Sequence, residues 1–103
     1  MKLNQDKVMA LIGLAMKAGK VASGEFSTEK AVKGNKAKLV IVAEEASNNT
    51  KKKFNNMCDY YKVPCYFLGS KVQLGNAIGK EFRASLAVID ENLTQAIMKQ
   101  IVE

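Results

Sequence analysis

The residues Gly24-Glu25-Phe26-Ser27 precede Lys30 by about one helical turn, with Lys20 and Lys33 close by in the chain. A glycine turn that opens a helix among lysines points to anion binding, because unbonded helix amides and ammonium groups attract the same charge. A second segment, Glu81-Phe82-Arg83-Ala84-Ser85, sets an aromatic ring beside the only arginine of the chain, just before an apolar run. A flat ring and a guanidinium stack well on splayed RNA bases, whereas a duplex offers them little. The sequence leaves Phe82 two roles, a stacking ring or a core side chain.

Other chemistry has little support. The chain has no histidine, which removes Cys-His and Ser-His nucleophile systems and the usual zinc arrangements. Cys58 and Cys65 stand alone and fall in apolar surroundings, so they read as small buried hydrophobes without a function. The carboxylate pairs Glu44-Glu45 and Asp90-Glu91 each follow an apolar strand, where solvated charges are the ordinary occupants. Gly69, Gly75 and Gly79 fit no phosphate-loop spacing. No catalytic residue, metal site or cofactor is expected. The run Lys51-Lys52-Lys53 falls in a helix, where successive side chains point about 100° apart, so it reads as a solvated edge. Lys36 and Lys38 read as ordinary loop and strand-entry charges.

Charge and length bound the partners. The 103 residues suit one domain, spanning 1–103, and a formal net charge of +6 favours a polyanion. Nearly all the cations are lysines, compact charges better suited to phosphates than to bidentate reading of bases. The opening stretch, with Lys2 and Lys7 ahead of the apolar run Val8 to Met16, superficially resembles a secretory leader. Gly13 breaks that run, and Val8, Leu11, Ile12 and Ala15 recur at helical spacing, so an amphipathic helix is expected instead. No apolar stretch approaches the about 20 residues of a membrane span. A soluble, cytoplasmic protein without membrane contact is expected.

The elements that must position these residues alternate along the chain. Asn4 is expected to cap a helix over residues 5–18 that Gly19 stops, and Val21-Ala22 leaves room for only a short strand. Ser23 or Gly24 caps a second helix that turns Phe26, Ala31 and Val32 inward and ends at Gly34. The apolar run from Lys38 to Ala43 reads as a strand covered on both faces. A third helix, capped by Ser47 or Asn48, buries Phe54, Met57, Cys58 and Tyr61. Then come a strand from Pro64, a short helix with Leu74, Ala77 and Ile78 closed by Gly79, a loop from Lys80 to Ser85, a strand from Leu86 to Ile89, and a final helix from Glu91. Strands alternating with helices through short loops predict an α/β fold, an α-β-α sandwich with a mixed, partly parallel sheet.

The order Gly24…Lys30-Ala31-Val32, AKLVIVAEEAS from Ala37, Val63-Pro64, GSKVQLGNAIG from Gly69 and ASLAVI from Ala84 resembles the ribosomal protein L7Ae family, in particular its short bacterial members. The likeness covers roughly Val8 to Ile89. It implies an L7Ae-like α-β-α sandwich that binds kink-turn RNA, a sharply bent duplex with sheared G·A pairs. The family's Gly-x-Asn-Glu-x-x-Lys motif matches at Gly24 and Lys30, while Phe26 and Ser27 occupy the Asn and Glu positions. The family's lysine ahead of a Leu-Gly pair matches Lys71, and Phe82 to Ser85 corresponds to the loop that packs on extruded bases. Serine's single hydroxyl does not reproduce the two hydrogen bonds a glutamate accepts from a guanine edge.

The expected function is therefore a non-enzymatic RNA-binding protein of the translation apparatus, acting as a monomer on ribosomal or another structured RNA. The alternative is a ribosome-associated adaptor that keeps the fold without specific kink-turn recognition. The expected RNA contacts are Lys20, Gly24, Glu25, Phe26, Ser27, Lys30, Lys33, Lys71, Phe82, Arg83, Ala84 and Ser85.

Overall fold

The segment Leu39–Val42 is buried at every position, as an unbroken run of branched apolar residues requires. Alternation along it splits the core: Leu39 and Ile41 face one layer of helices, Val40 and Val42 the other. The computed structural model describes residues 5–102, and the Asn4 cap lies outside the described residues. Its elements in order are α1 (Gln5–Lys17), β1 (Val21–Ser23), α2 (Glu25–Lys33), β2 (Leu39–Val42), α3 (Asn48–Tyr61), β3 (Cys65–Phe67), α4 (Lys71–Ala77), β4 (Ser85–Val88) and α5 (Glu91–Val102).

The sheet order is β1-β4-β2-β3. β4 runs antiparallel to β1 on one side and to β2 on the other, and β3 runs parallel to β2. β1, β2 and β3 therefore point the same way, and each is followed by a helix. The starts of α2, α3 and α4 consequently gather at one end of the sheet, together with the loop that enters β4. One layer packs Val8 and Ile12 of α1, Leu74 of α4 and Ile97 of α5 against the sheet. The other packs Val32 of α2 and Phe54 and Cys58 of α3. The expected α-β-α sandwich with a mixed sheet is the observed fold.

Several details differ from the sequence expectation, among them Met57 and Tyr61 of α3, which are half-buried rather than buried. α1 ends at Lys17, and Gly19 follows in the left-handed region at φ 73°. Phe26 points outward, 77% exposed, and Thr28 takes its place in the core beside Ala31 and Val32. β4 starts one residue early, at Ser85, because Val42 at the end of β2 pairs with it.

Cys58 is buried and Cys65 half-buried, in keeping with their reading as core side chains. The neighbouring Cys65 thiol, together with burial, pushes the Cys58 thiol up from its ordinary range. Among the described residues no helix is long and apolar enough to cross a membrane, and no group of three or more His, Cys, Asp or Glu side chains is placed to hold a metal ion.

Gly75 lies beneath the loop into β4. A Cβ there would stand 2.6 Å from the Glu81 carbonyl oxygen and 2.9 Å from the Phe82 nitrogen, both backbone atoms. Gly75→Ala is therefore expected to lower stability by about 1–3 kcal/mol through overpacking. Urea denaturation measures it, and an unchanged midpoint would mean that the loop moves aside freely.

Candidate functional site

The first turn of α2 is open. Gly24 holds φ 90° and ψ 159°, a backbone shape that favours glycine, and no side chain caps the helix. Its own N–H donates to the Ser85 carbonyl at 3.0 Å, and its carbonyl accepts from the Thr28 amide at 2.9 Å. The neighbouring helices are closed instead. Ser47 accepts from the Thr50 amide at 3.1 Å at the start of α3. At α4, Ser70 accepts from the Gln73 amide at 3.0 Å while the Ser70 amide donates to the Gln73 side chain at 2.9 Å. Of these three helix starts, α2 is the one whose amides no side chain caps, and its residues Glu25, Phe26 and Ser27 are exposed.

Two further segments are fastened to that turn. The Arg83 amide donates to the Lys71 carbonyl at 3.0 Å, joining the β4 entry loop to the start of α4. The Arg83 side chain donates from Nε to Ser23 Oγ at 3.3 Å and from Nη1 to the Phe82 carbonyl at 2.6 Å. Gly24, Lys71, Phe82 and Arg83 are thus brought together from three loops. Phe82 is 55% exposed, which decides its two sequence roles in favour of the outward ring. Arg83 is half-buried and folds back to hold the loop, a role its isolated position in the sequence did not signal.

Other expected residues stand apart. Ser85 lies inside β4, fully buried, its hydroxyl donating to Thr28 Oγ1 at 3.5 Å, because the pairing with Val42 draws it into the sheet. Its side chain does not reach the surface as expected. Ala84 is half-buried and gives its carbonyl to the Ala43 amide at 2.8 Å. Lys20 precedes β1 and accepts from the Ile89 amide at 2.9 Å, at the opposite end of the sheet from Gly24. Lys33, in the last turn of α2, is tied to Glu29 at 2.8 Å.

The electrostatics rest on a pairing that the sequence reading missed. Lys53 was expected on a solvated edge, but it reaches from α3 to Glu29 at 2.7 Å and Glu25 at 3.0 Å on α2. Glu29, held by hydrogen bonds from Lys33 and then Lys53, has its carboxyl lowered to about 2, and Lys53 is raised by the same contacts. The Glu29–Lys33 spacing of four residues was a visible helical signal. Nothing local marks the contact of Lys53 with Glu25, residues 28 positions apart. With Glu25 and Glu29 engaged, Lys30 makes no ion pair among the described residues and leaves its charge to solvent.

A family model described as the ribosomal protein L7Ae/L30e/S12e/Gadd45 family matches residues 6–98. The chain belongs to that family. An RNA-binding protein YlxQ from Enterococcus faecium is 42% identical over 100 residues, covering 97% of this chain and 95% of the relative. An RNA-binding protein YlxQ from Bacillus subtilis is 44% identical over 88 residues, covering 85% of this chain and 88% of the relative. A solved protein of unknown function from Bacillus halodurans superposes with a TM-score of 0.91 at 35% identity, over 94% of this chain and 98% of its own. Within the L7Ae/L30e/S12e/Gadd45 family, then, this chain presents Phe26 and Ser27 outward from the first turn of α2.

The ion cluster between α2 and α3 yields a pH signature. A carboxyl lowered from 4.5 to about 2 adds stability that is present above pH 4.5 and disappears as pH falls toward 2. Wild-type protein is expected to melt higher than Glu29→Gln near neutrality, and this gap should close between those two pH values. Melting curves of both proteins across the acid range check it, and a gap that persists at low pH would assign the effect to packing.

Proposed function

We propose that this chain is a single RNA-binding domain whose face is the end of the sheet where α2, α4 and the β4 entry loop meet. The open amides of α2 and the ammonium groups of Lys30 and Lys71 take backbone phosphates, and the exposed Phe82 ring packs on an unpaired base. Structured RNA of the kink-turn type, ribosomal or otherwise, is the proposed ligand. The protein acts by binding and without catalysis, as a monomer in the cytoplasm and in contact with the ribosome. The observation that carries this reading is the hydrogen-bonded junction of Ser23-Gly24, Lys71 and Arg83, which holds the face in place before any ligand arrives. The likeness to the RNA-binding proteins YlxQ of Enterococcus faecium and Bacillus subtilis supports it. Ser27 in the glutamate position favours the second reading, an adaptor without G·A recognition, and a comparison of intact kink-turn RNA with one lacking its G·A pairs separates the two. Tenfold or greater preference for the intact RNA supports kink-turn recognition, and equal affinity supports the adaptor.

Ammonium–phosphate contacts release condensed counterions, so log affinity should fall linearly with log salt, with a slope reporting roughly two to three phosphates. A flat plot would remove the electrostatic account.

Lys30→Ala is expected to weaken RNA binding about tenfold, the scale of a charged hydrogen bond at about 1.5 kcal/mol, while Lys52→Ala changes it little. Titration of both variants against one RNA checks this. Equal losses would mean a diffuse basic surface rather than a site.

A further inference from the structure

Phe26 is the most exposed large apolar side chain of α2, yet a lone exposed hydrophobe is ordinary on a protein surface. What sets Phe26 apart is its surroundings. Its ring borders a notch of ≈ 450 Å³ whose floor is Ala22, Ala31 and Ile89 and whose rim carries Lys30 and Lys36. Sites for small ligands usually measure about 300–1,000 Å³ and combine an apolar lining with a few polar groups. Ala22 and Ile89 are half-buried and packed on the core, so the floor is firm. Neither Lys30 nor Lys36 has an ion-pair partner among the described residues, so the rim is cationic and uncompensated.

A second hollow on α2 shares Phe26 and Lys30 but is lined also by Glu29 and Lys33, whose charges satisfy each other. Charge therefore selects the first notch for an anionic ligand. An aromatic wall, an apolar floor and a cationic rim together fit a nucleobase stacked on the ring with its phosphate at the lysines. The two ammonium groups at the rim, neither paired with an acid among the described residues, favour an anionic nucleotide over an apolar protein side chain.

We infer that the notch beside Phe26 seats one unpaired nucleotide of the bound RNA, its base stacked on the Phe26 ring and its phosphate held between Lys30 and Lys36. This rests on the RNA-binding reading and adds a second base contact, on α2, to that of Phe82. Phe26 would then have exchanged an edge-reading position for a stacking one, a sequence-tolerant contact because every base has a π-face.

The test uses the full-length protein and a kink-turn RNA in which each unpaired nucleotide is replaced in turn by an abasic one, keeping the phosphates. One abasic replacement is expected to cost the wild-type protein about tenfold in affinity and to cost Phe26→Ala nothing further. Phe26→Trp should keep the penalty. Phe26→Leu, which retains apolar surface without a ring, should lose it. Because the ring is exposed, melting curves of all three variants should match the wild type, which separates the binding effect from misfolding. If the RNA binds but every abasic penalty is the same in wild type and Phe26→Ala, the notch is empty in the complex and the inference fails while the RNA-binding reading stands. If wild-type protein binds none of the RNAs, the RNA-binding reading fails and takes the inference with it.

Discussion

The functional end of this molecule depends on β4 having an antiparallel neighbour on each side. Pairing with β1 through Val21–Val88 and with β2 through Leu39–Val88 forces β1 and β2 into the same direction, and β3 joins them by parallel pairing. Three strands that run one way must release their helices at one end, and β4, running the other way, must be entered from that end. The convergence of Gly24, Lys71 and Phe82 is thus a consequence of strand order. The ends of strands in open α/β sheets are common ligand sites for the same geometric reason.

Topology brings three helix starts together, but capping decides which of them remains available. A serine side chain at α3 and a reciprocal serine–glutamine box at α4 satisfy their own amides. Gly24 has no side chain to offer, and its positive φ makes glycine the residue that suits the turn. The same choice that shapes the turn therefore leaves its donors open. Around it, the Lys53 contacts to Glu25 and Glu29 remove both acids of α2 from the balance of charge, so that Lys30 acts without opposition.

Much of this was legible in the sequence because it follows from local pattern. The buried run of β2, the stop at Gly34 and the serine cap of α3 each need only a few neighbouring residues to be recognised. What escaped was phase and distance. At about 100° per residue, Thr28, Ala31 and Val32 cluster on one side of α2, and Phe26 falls nearly opposite them, on the side of Lys30. Size and apolarity assigned Phe26 to the core, and helical phase overrules them. Ser85 was drawn from loop to strand by a partner 43 residues away in β2, and Arg83 clamps a serine 60 residues away. Neither contact leaves a trace in local spacing.

The departures from local expectation fall together, and they share a cause. Packing α2 on the sheet requires the small, stepped set Thr28, Ala31 and Val32, with Thr28 meeting the Ser85 hydroxyl where a larger apolar side chain would leave that buried group unmatched. Once that face is fixed, the outward face is free of any packing demand and its residues answer only to solvent or ligand. Phe26 and Lys30 sit there, beside open amides and an uncompensated rim of charge. A helix face that stability does not need is where binding chemistry can vary without cost to the fold. On this helix the residues that depart from the family's motif, Phe26 and Ser27, are both exposed, and the matching Gly24 is the one the backbone requires.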